Sequence, residues 1–280
     1  YIPRHPLQRE IIATHVLNSM VNRVGATFTH RIAEMSGARP PQVVRAYLLT
    51  REVFGLVELW QQVEALDNRV PDALQAEMLI DEGWLTSRAT TWFLRSRRLN
   101  EPMAPTIARL APAVARLAAR LAPAASKSAR AVQWMAQGVP AELATRIASA
   151  EGLLDALDIA EVAESTAREF DAVCEVHAGI GERLALARLR SQVDALPSDT
   201  YWQSRAKTAL GDDLGGLQRA LAQQVLAGGA GEPAALIAQW EAANALSLER
   251  ARRLLADLSE TKQADLAMLS VAMRELRNLA

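Results

Sequence analysis

Ile107-Ala108-Arg109-Leu110-Ala111-Pro112-Ala113-Val114-Ala115-Arg116-Leu117-Ala118-Ala119-Arg120-Leu121 carries the clearest periodicity in the chain. Ile107, Leu110, Val114, Leu117 and Leu121 recur at steps of three and four, which gathers them on one face of an α-helix. A half-buried strand would instead alternate at every second residue. Between the large side chains stand Ala and Arg, both good helix formers. Such alternating steps make the seam of an antiparallel bundle, and Pro112 within it predicts a kink.

The same period runs outward in both directions. Leu7, Ile11, Thr14, Val21, Val24 and Phe28 predict a first helical segment with a bend at Gly25. Ser36-Gly37-Ala38-Arg39-Pro40-Pro41 joins a glycine stop to a proline start, so a helix ends and another begins there. Val43, Val44, Tyr47, Leu48 and Phe54 line that next helix, and Leu59, Trp60, Val63 and Leu66 the one after. Residues 72–98 read as two helices separated at Gly83. Later seams are Leu236, Trp240, Ala243, Ser247, Ala251, Leu254 and Leu258, then Leu266, Leu269, Met273 and Leu276. Short loops such as 196–199 and 228–231 favour antiparallel neighbours. The expected fold is all-α, a multi-helix bundle without significant β-sheet. The expected organisation is a helical subdomain over 1–102 and an antiparallel bundle over 103–280.

Composition agrees, because apolar residues make up 50% of the chain but aromatics only 5%, leaving Ala and Leu to build the core. A net charge of -1 gives no electrostatic reason to expect nucleic acid or an anionic membrane as the main partner. The single cysteine, Cys174, excludes an internal disulfide framework and fits a reducing cytoplasm. No uncharged run approaches the ~18 residues of a spanning helix, and the first residues lack a signal-peptide pattern. Beginning at Tyr1 rather than Met fits a piece of a longer polypeptide. Charge is nevertheless uneven. Residues 85–130 carry nine basic side chains against one acidic, and 141–182 ten acidic against two basic. Helical layers with mutually attractive faces account for this more simply than a phosphate-binding patch, since few aromatics interleave the basic block.

Candidate chemistry is sparse. Gly229-Ala230-Gly231-Glu232-Pro233-Ala234 matches the GxGxxA form of a dinucleotide loop, but that loop needs a strand before it, and Leu217–Leu226 has a helical pattern. Gly179-Ile180-Gly181 fails on the same ground. None of the three lysines, Lys127, Lys207 and Lys262, follows a glycine, so no phosphate-binding P-loop exists. Cys174 and His177 share a helix face, yet a zinc site needs three or four ligands; a packed Cys beside a partly exposed His is expected. His15 and His30 are isolated. Ser126-Lys127-Ser128 reads as a cap or turn rather than a Ser–Lys dyad. The six tryptophans, among them Trp60, Trp84, Trp92 and Trp240, are expected as core anchors. The expected catalytic, cofactor-binding and metal-binding residues are therefore none.

One resemblance stands apart from this physical reading. His5-Pro6-Leu7-Gln8-Arg9-Glu10-Ile11-Ile12-Ala13-Thr14, Val21-Asn22-Arg23-Val24-Gly25 and Phe28 resemble the segment that follows the catalytic domain in large bacterial NAD-specific glutamate dehydrogenases. Arg45-Ala46-Tyr47, Arg51-Glu52-Val53-Phe54, Leu59-Trp60 and Glu64-Ala65-Leu66-Asp67 continue it, while Gln8 departs from an expected arginine. The resemblance implies an α-helical C-terminal domain of a cytoplasmic, homo-oligomeric enzyme that converts L-glutamate and NAD to 2-oxoglutarate, ammonia and NADH. It further implies that the NAD site and the catalytic residues lie upstream and that this segment is structural, with a regulatory role left open. The partner would be the catalytic domain of the same polypeptide. The alternative is a stand-alone helical adaptor that binds a protein or nucleic acid through the basic block.

Overall fold

A computed structural model describes residues 5–261 and 264–280, and no strand occurs among them. The expected all-α class is what the chain adopts. It divides into two compact units, Tyr1–Leu154 and Asp155–Ala280.

The first unit contains α1 (Gln8–Val24), α2 (Phe28–Ser36), α3 (Pro40–Val53), α4 (Leu56–Glu64) and α5 (Asp72–Arg95). A 3-10 turn (Arg97–Asn100) leads to α6 (Met103–Ala125), α7 (Ala129–Ala136), α8 (Ala141–Ala148) and α9 (Ala150–Leu153). Its core is the α3–α5 interface, where Val43, Ala46 and Leu49 of α3 and Met78, Leu85 and Phe93 of α5 are buried. The glycine stop and proline start fall where expected: Gly37 adopts φ 72° and closes α2, and Pro40 opens α3. Ser128 caps α7 by accepting the Ala131 N–H at 3.2 Å.

One expectation is corrected in this unit. Residues 72–95 form one helix, not two, because Gly83 leaves its backbone hydrogen bonds intact and its flanks are buried against α3. A glycine inside a helix costs only about 1 kcal/mol. α6 packs on α3 and α8 within the first unit. The 107–121 seam holds Leu110, Val114 and Leu117 in the core. The helix runs through Pro112, which is exposed, so water can satisfy the carbonyl that this proline leaves unbonded.

The second unit contains α10 (Asp155–Thr166), α11 (Phe170–Arg183), α12 (Leu186–Asp194), α13 (Tyr201–Ala227), α14 (Pro233–Ala243), α15 (Ala245–Glu260) and α16 (Leu266–Arg277). α13 is its axis: α10, α11, α12, α14 and α16 all pack on it. Leu210, Leu214, Leu217, Leu221 and Val225, again at steps of three and four, carry that contact. Thr200 and Gln203 start α13 with a reciprocal capping box. Of the expected α16 seam, Leu269, Met273 and Leu276 are buried, but Leu266 at the first turn is 41% exposed. The seam expected across 236–258 is broken at Asn244, which leaves Ala243 exposed.

Candidate functional site

The glycine-rich loop joins α13 to α14, with Pro233 at the first turn of α14. A 27-residue helix precedes it where a dinucleotide site requires a strand. The Gly229 carbonyl accepts a hydrogen bond from Arg168, which ties the loop to the segment after α10. These residues do not fit NAD. Gly179 and Gly181 lie inside α11 and serve close packing. A Cβ at Gly179 would stand 2.8 Å from Ile237 Cδ1 of α14, and one at Gly181 would stand 2.9 Å from Gln218 Nε2 of α13.

Gln218 makes the main polar contact of this interior. Its Nε2 donates to the His177 carbonyl at 3.0 Å and stands 3.1 Å from His177 Nδ1. The two amide hydrogens can serve both acceptors if the imidazole carries its proton on Nε2. His177 is buried, not partly exposed as expected, because α13 covers this face of α11. Burial pushes its pKa down and outweighs the opposing pull of Asp155 and Asp158, so the ring is neutral. Cys174 is buried one turn earlier on α11. No group of three or more His, Cys, Asp or Glu among the described residues could hold a metal ion. The pair is a neutral hydrogen-bonded pin between two helices, without access for a substrate.

In the first unit, Glu82 of α5 is 1% exposed, and neither carboxylate oxygen has a hydrogen-bond partner. Burial pushes its carboxyl up to about 8, although Arg146 and Arg23 pull in the other direction. At neutral pH Glu82 is therefore protonated. The guanidinium of Arg146 serves the backbone instead, donating to the Phe54 and Gly55 carbonyls at 3.3 and 3.0 Å where α3 turns into α4. An acid with a perturbed pKa marks a candidate catalytic group when it faces a cleft. Glu82 lies inside the helical packing rather than at a cleft, since it is buried on α5.

The remaining candidates are spread apart. Lys207 donates to the Asp194 and Leu196 carbonyls at 2.5 and 3.3 Å, and Lys127 is exposed beyond the end of α6. Lys262 lies outside the described residues. His15 is exposed, and His30 faces Glu34 one turn along α2. Within the basic block, Arg130 pairs with Glu77 and Asp81, while Arg98 and Arg109 share Glu101. Trp60, Trp134 and Trp240 anchor cores as expected, whereas Trp202 is 75% exposed.

One surface of the first unit is open and apolar. A groove of about 550 Å³ runs between Ile12, Val16 and Leu17 of α1 and Pro40, Val44 and Leu48 of α3. Among the described residues no helix is long and apolar enough to cross a membrane.

The sequence has clear relatives. It is 34% identical over 284 residues to an NAD-specific glutamate dehydrogenase of Halomonas elongata. It is 35% identical over 286 and 288 residues to the proteins of that description from Pseudomonas aeruginosa and Mycobacterium tuberculosis. Each match takes in 99% of this chain but 18% of the relative, so the chain spans under a fifth of their length. A family model described as "Glutamate dehydrogenase, C-terminal" matches residues 1–278, and the chain belongs to that family.

Proposed function

We propose that this chain is the non-catalytic helical C-terminal domain of an NAD-dependent glutamate dehydrogenase, which oxidatively deaminates L-glutamate to 2-oxoglutarate and ammonia. In this reading it packs against the catalytic domain of its own polypeptide, supports homo-oligomer assembly and works in the cytoplasm. The observation that carries the reading is the match of 99% of the chain to 18% of proteins named NAD-specific glutamate dehydrogenases. The interior adds support, because Glu82 and His177, whose pKa values burial shifts, are sealed within helix packing. The adaptor reading has less behind it: Arg98, Arg109 and Arg130 of the basic block are engaged by carboxylates of the same unit.

Deleting the domain from the intact enzyme is an ambiguous test, since exposing a packed layer disturbs assembly by itself. Adding the 280-residue chain back in trans to the deleted enzyme, with oligomer size and turnover both measured, is decisive. Assembly and turnover should return together, and the chain alone should neither bind NAD nor consume glutamate. Loss of turnover with assembly intact on substituting Lys127 or Lys207 would place chemistry in this domain and overturn the proposal.

A further inference from the structure

α1 is the exception among the long helices. It has 17 residues, and Met20 alone is buried. An isolated helix of that length is marginal in water, so in proteins such helices persist by burying an apolar face. Near its C-terminal end Arg23 pairs with Glu64 and stacks 5.1 Å over the Trp60 ring. Toward its N-terminus Ile11 and Ile12 are exposed, and so are Leu17 and Val21 further along. Of these, Ile11 and Val21 belong to the seam that the period predicts to be buried. The groove between α1 and α3 has Arg9 and Thr29 as its polar contributors beside Ile12, Leu17, Pro40 and Val44. An apolar groove between helices is the kind of surface that takes the apolar face of another helix.

We infer that this groove and the outer face of α1 are covered by an amphipathic helix from the polypeptide that precedes residue 1 in the longer relatives. The inference rests on the reading of the chain as a dehydrogenase C-terminal domain. Two observations single out that occupant. The matched family is the C-terminal segment, and it makes up 18% of each relative, so most of the polypeptide comes before it. The uncovered surface belongs to α1, at the N-terminal side of the matched C-terminal family segment, where a segment preceding that family in the relatives would be held at an effective concentration of the order of millimolar. A modest apolar contact suffices at that concentration. Arg9 at the groove wall favours an acidic residue on the incoming helix.

Hydrogen exchange on the intact gene product, which on this reading extends ahead of Tyr1, tests the inference against the 280-residue chain. Amides of α1 should exchange about 10- to 100-fold more slowly in the intact product, the protection that burial of one or two aliphatic side chains confers. Ile12→Asp in the intact product should restore fast exchange in α1. Ile80→Asp, at an exposed apolar position on α5, should not. Because Ile12 is exposed in the 280-residue chain, that variant should keep its wild-type circular dichroism there. Equal exchange of α1 in the two forms, or protection indifferent to Ile12→Asp, overturns the inference while leaving the proposed function standing. Protection that appears in the 280-residue chain alone and grows with its concentration means a second copy fills the groove, and also overturns it. A gene product with nothing ahead of Tyr1 removes the proposed function itself.

Discussion

Replacing Glu82 by Gln isolates the cost of a sealed acid. Gln has nearly the shape of protonated Glu and no charge, so at low pH the two proteins should have similar stability. In the unfolded chain Glu82 ionises at its ordinary value of 4.5, whereas in the fold burial holds it protonated up to about 8. Between these two values the folded state binds a proton that the unfolded state has released, so stability falls as pH rises. Each pH unit costs about 1.36 kcal/mol, and the full window amounts to on the order of 4–5 kcal/mol. Above pH 8 the loss levels off. The assay is urea unfolding at pH 5, 6, 7 and 8, followed by circular dichroism and by hydrogen exchange of α5 amides, since the two units need not unfold together. Taking the difference between variant and wild type cancels the other titrating groups. The Gln variant should gain steadily over wild type from pH 5 to pH 8. Parallel profiles would refute the reasoning and mean that the folded carboxylate is ionised, held by Arg146 or Arg23.

Other perturbations read out other parts of the fold. Leu269→Ala should cost ~2–5 kcal/mol because Leu269 is 0% exposed on α16. Arg274→Ala on the exposed face of the same helix should change stability by less than about 0.5 kcal/mol, both measured by urea unfolding. Gln218→Ala strips the buried His177 Nδ1 and carbonyl of their donor and should cost about 1–3 kcal/mol, seen as faster exchange in α11 and α13. His177 is held below its ordinary 6.5, so as pH falls through 6.5 the unfolded chain gains a proton that the fold refuses. The second unit should therefore lose stability on the acid side, read as a falling urea midpoint for exchange in α11.

Local signals were the legible ones. Gly37 and Pro40 stop and start helices through their own backbone preferences, and Ser128 caps α7 with its own hydroxyl, so a few residues of sequence suffice to read them. The misread positions depend on something distant in the chain. Gly83 looked like a break because glycine is costly in a helix, but burial of α5 against α3 outweighs a cost of about 1 kcal/mol. His177 looked half-exposed because nothing near it in sequence reveals Gln218, 41 residues away. Gly179 and Gly181 were excluded as a nucleotide loop from the helical pattern around them, but the close approach of Ile237 and Gln218 could not be read in one dimension.

α1 carries this reasoning one step further. Its apolar residues recur at helical steps as those of α6 do, and the periodicity reads both as core helices. In α6 the seam meets α3 and α8 within the chain, and Leu110, Val114 and Leu117 are buried. In α1 the same kind of seam faces solvent. Periodicity therefore says that a face is to be covered without saying by what. Where the fold supplies the cover, the seam becomes core; where it does not, an apolar face of this size marks a contact with another segment. Ile11 and Val21 are legible in the sequence as a seam but not as a surface, because the period carries no record of what packs on them, and they are exposed.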